Sequence, residues 1–276
     1  MGADTGQDGL PARIGPYRPL EVLGEGAAGV VYRAVDAHGA EVALKVIRPE
    51  MTRDERSRSR LAHEIRALRE LRHAHLVPLL DAGEVDGVSF IAFAFLAGSE
   101  TLSSRLQSAG VLDPPAIVRL ARQIGSALDA MHDAGLVHRD VKPSNVIMSG
   151  DEAQLSDLGL VRGAGYTALT RPGRVLGTAD YLAPELIRGV TATPASDLYA
   201  LGCALFECVV GTPPFGGRSM LAVGIAHLEE PPPDPSANRP ELPPAFCAAL
   251  LRALAKEPSE RPPTALAYAD MLEAGA

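Results

Sequence analysis

At 276 residues the chain is too long for one small domain and long enough to fold as two lobes, each with its own core. Hydrophobic residues make up 46% of the chain and charged residues 22%, which excludes an intrinsically disordered polypeptide. The formal net charge of −8 argues against a general nucleic-acid-binding surface, because such a surface needs basic residues to neutralise phosphates.

Membrane insertion, secretion and disulfide bonding are also disfavoured. No stretch reaches the ~18 apolar residues that a membrane-spanning helix needs, since the longest candidate, residues 198–210, is interrupted by Glu207. The N-terminus lacks the basic start and apolar run of a signal peptide. The cysteines are odd in number and match no zinc or redox spacing, so we expect reduced core thiols in a cytoplasmic protein: Cys203, Cys208 and Cys247.

The chain up to residue 96 is patterned mainly as strands. Residues 1–15 are rich in Gly, Asp and Pro without periodicity, which predicts a disordered tail. Two apolar runs flank a turn within residues 29–48, which predicts a hairpin. Apolar residues at helical spacing predict a helix over 56–71, and two further strands are expected within 76–96.

After residue 97 the apolar periodicity becomes helical. A long amphipathic helix is predicted over 115–134, with Gly135 at its C-terminal cap. Proline and glycine separate four further predicted helices, near 195–210, 219–228, 244–255 and 263–273. The expected fold is therefore α+β: a small β-rich lobe over 16–96, a larger helical lobe over 97–276, and a ligand site where they meet.

Three glycines, at positions 24, 26 and 29, form a GxGxxG pattern. Residues without side chains let a backbone turn lie against phosphates. Alone, the pattern also fits an ordinary hairpin or a dinucleotide-binding fold. In dinucleotide-binding folds, however, the glycines lead into a helix, whereas here they lead into the strand-like residues 30–34. The flanking sequence therefore favours a loop that covers phosphates and disfavours a dinucleotide-dependent oxidoreductase.

A lysine, Lys45, lies among apolar residues at the end of Val42-Ala43-Leu44. Burying its ammonium is costly unless it has partners. A bound phosphate and a carboxylate would supply them, and Glu64 on the predicted helix is the carboxylate we select. The alternative is that Lys45 extends to solvent.

Residues 138–145 form a polar segment, His-Arg-Asp-Val-Lys-Pro-Ser-Asn, that follows a predicted helix. The carboxylate of Asp140 could accept a proton from a hydroxyl, and Lys142 could offset charge on a transferring phosphoryl group. The amide oxygen of Asn145 suits a hard cation such as Mg²⁺. Asp157, at a short turn, is a second candidate metal ligand. A polar turn without chemistry is the alternative reading of each segment.

In this order, the segments resemble the eukaryotic-like, or Hanks-type, Ser/Thr protein kinase family, and especially its bacterial members. The resemblance covers about residues 17–272 and rests on five segments: 24–31, the lysine at 45, 138–145, Asp-Leu-Gly at 157–159 and Ala-Pro-Glu at 183–185. It implies a bilobal protein kinase fold. It also implies a non-specific Ser/Thr protein kinase, which transfers the γ-phosphate of ATP to hydroxyls of protein substrates in signal transduction.

The resemblance assigns catalytic roles to four residues. Asp140 would be the catalytic base, and Lys142 would contact the γ-phosphate. Lys45 would contact the α- and β-phosphates and would be held by Glu64. The implied cofactors are ATP and Mg²⁺, with Mn²⁺ as a substitute.

Metal and nucleotide sites follow in the same way. Asn145 and Asp157 would bind two metal ions. Ala94 and Leu96 would belong to a hinge that binds adenine through its backbone. The full set of nucleotide-binding residues that the resemblance implies is Gly24, Gly26, Gly29, Val31, Ala43, Lys45, Ala94, Leu96 and Met148.

Regulation is implied by Arg139, since an arginine at this place in the family binds a phosphate on the activation loop, here about residues 157–185. Thr170 and Thr167 are the candidate phosphorylation sites, and we favour Thr170. Residues 177–181 resemble the substrate-docking segment of Ser/Thr kinases. Relatives can dimerise and phosphorylate each other, and the sequence leaves open whether this chain forms such a homodimer.

The resemblance also implies three supporting contacts. Thr178 would hydrogen-bond to Asp140. Glu185 would pair with Arg261, a contact that supports the helical lobe and carries no chemistry. Asp197 would bind the backbone of residues 138–145, which would form the catalytic loop.

Two other functions are compatible with parts of this sequence. A pseudokinase, a nucleotide-binding signalling scaffold without catalysis, would be favoured by loss of a catalytic or metal-binding residue, and all are present. Small-molecule kinases, such as aminoglycoside or choline phosphotransferases, lack the Gly-Thr-x-x-Tyr-x-Ala-Pro-Glu segment found at 177–185. The expected partners are therefore ATP and protein substrates, with no nucleic acid and no membrane span.

Overall fold

The computed structural model of the protein describes residues 10–157, residue 159 and residues 179–276. The chain divides into two compact units. The first contains residues up to 72 and 77–97, and the second contains 73–76 and the described residues from 98 onward. Strands dominate the first unit and helices the second, so the predicted α+β class is confirmed.

The first unit is built on a five-stranded antiparallel sheet with the strand order β1-β2-β3-β5-β4. The predicted hairpin, the helix and the two later strands are all present. The elements are β1 (Arg18–Glu25), β2 (Gly29–Val35), β3 (Glu41–Ile47), α1 (Glu55–Glu70), β4 (Leu79–Val85) and β5 (Val88–Ala94).

A tight turn fixes the register of β2 and β3. The carboxylate of Asp36 accepts hydrogen bonds from the backbone N–H groups of His38 at 2.8 Å and Ala40 at 2.9 Å. This local bonding is what makes aspartate a favoured turn residue. The register places Val31 opposite Lys45, so two of the predicted nucleotide-binding residues are direct neighbours in the sheet.

The start of the described chain packs on this sheet. Ile14 lies in a core cluster with Tyr17 and Phe90, and the rings of Tyr17 and Phe90 meet edge to face at 5.6 Å. The predicted disordered tail over residues 1–15 is therefore too long, because the apolar side chain of Ile14 is only 9% exposed. Residues 1–9 lie outside the described part of the chain.

The second unit contains seven helices and a three-stranded sheet among its described residues. The five predicted helices are present. The helices are α2 (Leu102–Ala109), α3 (Pro114–Asp133), α4 (Pro184–Ile187), α5 (Pro194–Val210), α6 (Met220–Glu229), α7 (Pro244–Arg252) and α8 (Ala265–Gly275), and the strands are β6 (Glu100–Thr101), β7 (Val146–Ser149) and β8 (Glu152–Leu155).

Helix α2 was not predicted. It buries only Leu102, so it has no apolar stripe that a sequence could reveal. Its N-terminus is fixed by Thr101, whose hydroxyl accepts a hydrogen bond from the N–H of Ser104 at 3.0 Å. The helix is thus specified by a capping residue rather than by hydrophobic periodicity.

Helix α5 is the central helix of the second unit and is buried along nearly its whole length. A helix that is apolar on all faces belongs in a core. It carries Cys203 and Cys208, which are free and buried like Cys247, so the predicted reduced core thiols are confirmed. Among the described residues, no helix combines the length and apolar character needed to cross a membrane.

Candidate active site

A buried carboxylate holds the segment that carries the predicted catalytic residues. Asp197, in the first turn of α5, is 1% exposed. It accepts hydrogen bonds from the backbone N–H groups of His138 at 2.7 Å and Arg139 at 2.8 Å. His132 Nε2 lies 2.9 Å from the same carboxylate. The prediction that Asp197 binds the backbone of this segment is confirmed.

His138 links the segment to the residues that precede Asp157. Burial lowers the pKa of the His138 ring, although the charges of Asp197 and Asp140 oppose this effect, so the ring is neutral. Its Nε2 lies 3.1 Å from the carbonyl oxygen of Ser156, which can only accept, so Nε2 carries the proton. Nδ1 then accepts the N–H of Asp140 at 3.3 Å. One neutral histidine thereby connects the two segments that carry Asp140 and Asp157.

Three predicted active-site residues meet at one carboxylate oxygen. Lys142 Nζ lies 2.9 Å from Asp140 Oδ2, and Asn145 Nδ2 lies 3.0 Å from the same atom. The side chains of Asp140 and Lys142 are 10% and 19% exposed. The carboxylate is therefore oriented by two donors and partly shielded from water, which suits a group that must accept a proton in a defined direction.

The amide of Asn145 has a defined orientation. Its Nδ2 donates to the carbonyl oxygen of Asp140 at 2.7 Å as well as to the carboxylate. Because both partners are acceptors, the amide oxygen must point away from Asp140. An amide oxygen turned outward in this way is a suitable ligand for a hard cation.

Asp157 is tied to Asn145 through the backbone. The carbonyl oxygen of Asn145 accepts the N–H of Ser156 at 2.8 Å and its hydroxyl at 3.0 Å. The residue next to Ser156 is Asp157, so an amide oxygen and a carboxylate belong to adjoining segments. Such an all-oxygen pair fits Mg²⁺, which is usually bound by one or two protein ligands together with substrate phosphates and water.

In the first unit, two oppositely charged site residues are buried. Lys45 on β3 and Glu64 on α1 are each 6% exposed. Glu64 shares the buried face of α1 with Leu61 and Leu68. The alternative in which Lys45 extends to solvent is therefore wrong. Buried charges of this kind require charged or hydrogen-bonding partners.

The structure gives different reasons for glycine at the three positions of the GxGxxG pattern. A Cβ at Gly29 would lie 1.9 Å from the carbonyl oxygen of Val46, so β2 and β3 can pair only if residue 29 is glycine. A Cβ at Gly24 or Gly26 would meet no atom within 4 Å. Nothing in the described protein requires glycine at 24 and 26, and this open surface is what a bound phosphate would need.

The predicted adenine-binding residues are mostly half-buried. The backbone N–H of Ala94 donates to the carbonyl oxygen of Pro78 at 2.9 Å, so Ala94 can offer a base only its own carbonyl. Met148, on β7 of the second unit, is 6% exposed. The half-buried residues of this group are Val31, Ala43, Ala94 and Leu96.

The regulatory residues are only partly described. Arg139 is half-buried, and its backbone is bound by Asp197. Thr167, Thr170 and Thr178 lie outside the described residues. The choice between Thr170 and Thr167, and the bond from Thr178 to Asp140, stay predictions.

Elsewhere in the second unit, both terminal nitrogens of the Arg261 guanidinium donate to the Glu185 carboxylate, each at 2.8 Å. Burial alone would raise the pKa of Glu185, but hydrogen bonds from Arg261 and Ser196 hold it below its usual value. The guanidinium of Arg261 also stacks on the ring of Tyr199 at 4.9 Å. The predicted structural pair is confirmed.

A short 3-10 turn, Ala179–Tyr181, belongs to the predicted docking segment and makes a contact that the sequence did not predict. The hydroxyl of Tyr181 donates to the carboxylate of Glu207 on α5. Burial raises the pKa of the Glu207 carboxyl, while the bond from Tyr181 opposes this effect. In the sequence, Glu207 appears only as a charge that interrupts an apolar run.

Comparison with known proteins places this site in context. Residues 17–271 match the family described as protein kinase domain. The chain is 41% identical over 251 residues to the serine/threonine-protein kinase PknE of Mycobacterium tuberculosis, covering 90% of this chain and 44% of that protein. It is 40% identical over 253 residues to PknD of the same species, covering 91% of this chain and 38% of that protein.

Solved structures agree with the sequence relatives. The crystal structure of the Mycobacterium tuberculosis PknI kinase domain matches with a TM-score of 0.76 and 28% identity, covering 96% of this chain and 98% of that one. The chain spans less than half the length of the curated relatives that it matches.

Proposed function

Because the chain belongs to the protein kinase domain family, we propose that it is an ATP-dependent Ser/Thr protein kinase that transfers the γ-phosphoryl group of ATP to protein hydroxyls. The observation that carries the proposal is the arrangement of Asp140, Lys142 and Asn145 around one carboxylate oxygen. Phosphoryl transfer depends mainly on positioning and on charge stabilisation. These three side chains offer a proton acceptor, a cation and a metal-binding amide.

Asp140 is the proposed catalytic base. Its carboxylate orients the attacking hydroxyl of the substrate and accepts its proton as the oxygen–phosphorus bond forms and the bond to ADP breaks. Lys142, 2.9 Å from that carboxylate, is placed to offset charge on the transferring group. His138 and Asp197 do not touch the substrate in this scheme and act by fixing the backbone of the loop.

Asn145 and Asp157 are the proposed metal ligands. Their oxygen donors suit Mg²⁺, with Mn²⁺ as an alternative. The bound metal would neutralise charge on the ATP phosphates. Among the described residues there is no cluster of three or more His, Cys, Asp or Glu side chains that could hold a metal ion. Metal affinity should therefore depend on the nucleotide, which would supply the remaining oxygens.

The residues proposed to bind ATP are residues of the first unit and Met148. Gly24 and Gly26 are proposed to lie against the phosphates, a role supported by the open space around both residues. Lys45, held by Glu64, is proposed to contact the α- and β-phosphates. The adenine ring is proposed to contact the apolar side chains of Val31, Ala43 and Met148 and the backbone of Ala94 and Leu96.

Regulation by phosphorylation of Thr170, bound by Arg139, is part of the proposal, with Thr167 as the second candidate. A phosphate beside an arginine would form a charge-assisted bridge and order the loop that carries it. Trans-phosphorylation within a homodimer is one route to this state. We further propose protein substrates, no nucleic-acid partner and a cytoplasmic location, which three free, buried cysteines support.

The test is phosphate transfer from labelled ATP in the presence of Mg²⁺, followed by mapping of the phosphorylated residues. Wild type should incorporate phosphate, and Asp140→Asn should lose about 10²–10⁴-fold in rate because the amide cannot accept the proton. Asp151→Asn is the matched control, since the Asp151 side chain is 80% exposed on a turn and should keep full activity. If wild type binds ATP but transfers nothing, the chain is a nucleotide-binding scaffold and the proposed function is wrong.

A further inference from the structure

An arginine that no step of the proposed chemistry uses shares a sheet face with the proposed nucleotide-binding residues. Arg33 on β2 lies opposite Ala43 on β3, and Val31 lies opposite Lys45. Directly opposite residues of an antiparallel pair lie on the same face, as do alternate residues of one strand. Arg33 therefore lies on the nucleotide-binding face, two residues farther from the GxGxxG pattern than Val31.

Carboxylates on both neighbouring strands hold the guanidinium of Arg33. Its Nη1 donates to Glu21 on β1 at 3.1 Å. Its Nε donates to Glu41 on β3 at 3.2 Å, and its Nη2 donates to the same carboxylate. Bonds from two strands to one planar group fix the direction in which that plane faces.

The guanidinium lies over an aromatic ring of the proposed hinge. The Cζ atom of Arg33 is 5.2 Å from the centroid of the Phe95 ring, within the ~6 Å over which a cation and an aromatic face attract each other. Phe95 is the middle residue of 94–96, the hinge that is proposed to bind adenine. On one side of Phe95, the backbone N–H of Ala94 is bound to the carbonyl oxygen of Pro78 at 2.9 Å. Arg33 adds a contact to the side chain that follows.

We propose that Arg33 is a positioning residue for the adenine base of ATP: it anchors the Phe95 ring and so directs the backbone of residues 94–96 toward the edge of the base. Hydrogen bonds weaken steeply when donor and acceptor lose their alignment. A small rotation of the hinge should therefore weaken binding of the base more than binding of the phosphates. This inference rests on the proposed function, because it assumes that residues 94–96 bind adenine.

A double-mutant cycle tests whether Arg33 acts through Phe95. Arg33→Met keeps an unbranched apolar side chain and removes the cation, whereas Phe95→Leu removes the ring. Each variant should raise the Kd for ATP, measured by calorimetry with Mg²⁺, about twofold to fivefold, the value of one partly exposed contact between a cation and a ring. The double variant should bind ATP no more weakly than the weaker single variant. Losses that multiply in the double variant would overturn the inference.

Inosine triphosphate separates positioning of the base from a general loss of structure. It has the ribose and phosphates of ATP but carries a carbonyl where adenine carries its amino group. Arg33→Met should raise the Kd for ATP as above and leave the Kd for inosine triphosphate within about twofold of wild type. A parallel rise in both Kd values would mean that Arg33 only stabilises the sheet.

Two further variants support this comparison. Arg18→Met is the matched control, because Arg18 is an exposed arginine of the neighbouring strand β1, and both Kd values should stay at wild type. If Arg33→Met does not fold, Phe95→Leu alone carries the test. An unchanged preference for ATP over inosine triphosphate in Phe95→Leu would overturn the inference.

Because binding is measured without phosphoryl transfer, failure of this inference differs from failure of the proposed function. A wild type that prefers ATP to inosine triphosphate, loses this preference in Arg33→Met and phosphorylates nothing would overturn only the kinase function. Without nucleotide, amide hydrogen exchange across residues 95–97 should be faster in Arg33→Met than in Arg18→Met, with exchange across 138–145 equal in both. Equal exchange across 95–97 would overturn the inference even for an active kinase.

Discussion

At the scale of single residues, the site contains two backbone conformations that side-chain-bearing residues rarely adopt. Arg139 has a φ of 67° and Asp157 a φ of 52°. Each costs about 1–3 kcal/mol and persists only where the surroundings enforce it. For Arg139 the enforcing contact is the carboxylate of Asp197 on its N–H. The strain coincides with the two segments that carry the proposed base and metal ligand.

Gly159 provides a further link between these two segments, beside those made by His138 and Asn145. Its N–H donates to the carbonyl oxygen of His138 at 3.0 Å, and an added Cβ would lie 2.8 Å from that oxygen. Gly159→Ala should therefore push Asp157 away from the catalytic loop and lower kcat at least about tenfold. Steady-state kinetics with saturating ATP and substrate would measure it.

Gly150→Ala is the matched control for that experiment. Gly150 has a φ of 59° at a turn but no atom within 4 Å of an added Cβ. It should lose about 1 kcal/mol of stability through backbone strain and keep its kcat. If Gly159→Ala loses only stability, as Gly150→Ala does, then contact with His138 does not set the position of Asp157.

At the scale of elements, the β2–β3 pair depends on Gly29. Because a Cβ there would lie 1.9 Å from the backbone of Val46, Gly29→Ala must separate the two strands. The expected loss is about 2–4 kcal/mol in the free energy of unfolding, together with weaker ATP binding, since Lys45 lies on β3. Urea unfolding and ATP titration would measure both effects.

Gly26→Ala should behave differently, because no atom lies within 4 Å of its Cβ. Its stability should change by less than about 0.5 kcal/mol while ATP binding weakens. A variant that binds ATP as well as wild type would show that residue 26 does not approach the phosphates.

The pair between Glu185 on α4 and Arg261 links α4 to a distant part of the second unit. Arg261 has a fully buried side chain and also donates to the carbonyl oxygen of Ala195 at 2.8 Å. Arg261→Ala leaves a buried carboxylate without its cation and should cost about 3–5 kcal/mol in the free energy of unfolding. The exposed pair of Arg218 and Glu230 is the control, and Arg218→Ala should cost at most about 1 kcal/mol. Equal losses in denaturant unfolding would contradict this difference in burial.

At the scale of the whole molecule, buried histidines contribute to the loss of stability in acid. The pKa of His227 falls from 6.5 to about 3 on folding. Below pH 6.5 the unfolded chain therefore binds a proton that the folded chain refuses. The contribution of His227 to the free energy of unfolding is therefore full above pH 6.5. It falls by about 1.4 kcal/mol per pH unit as the pH drops from 6.5 toward 3. The lowered pKa of His138 acts in the same direction.

Comparison of wild type with His227→Gln isolates this contribution, because glutamine does not titrate. Between pH values of about 7.5 and about 5, wild type should lose about 2 kcal/mol more unfolding free energy than the variant. Urea unfolding at the two pH values measures the difference. Identical losses would show that His227 is protonated in the folded state at the lower pH.

Much of the architecture could be predicted because its signals are local. Helices α3, α5 and α6 and the β2–β3 hairpin have apolar periodicity or turn residues, and the sequence predicts them close to their observed bounds. Helix α2 lacks that periodicity, and Ile14 is one apolar residue in a polar segment. Burial of Ile14 depends on packing against the distant Phe90, which no local pattern records, whereas the capping residue Thr101 is the local signal for α2.

The residues of the site also fall into two groups, those that the sequence predicts and those whose role only the structure explains. Asp140, Lys142 and Asn145 lie within a few positions of one another, so the sequence already indicated that they could share a site, and the resemblance implied their roles. By itself the sequence also determined the family and the pairing of Glu185 with Arg261, through the resemblance of its motifs. The different reasons for glycine at 26 and 29 were not visible, since they depend on the distance to Val46.

The tertiary structure alone decided the protonation and partners of the buried groups. The sequence does not show which groups the side chains of His138, His227 and Tyr199 contact. His227, for example, is far along the chain from the turn at 179–181, beside which its ring lies. Their pKa values and tautomers follow from burial and from which acceptor faces each nitrogen. Burial and hydrogen-bond direction are properties of three-dimensional packing, so only the folded chain determines them.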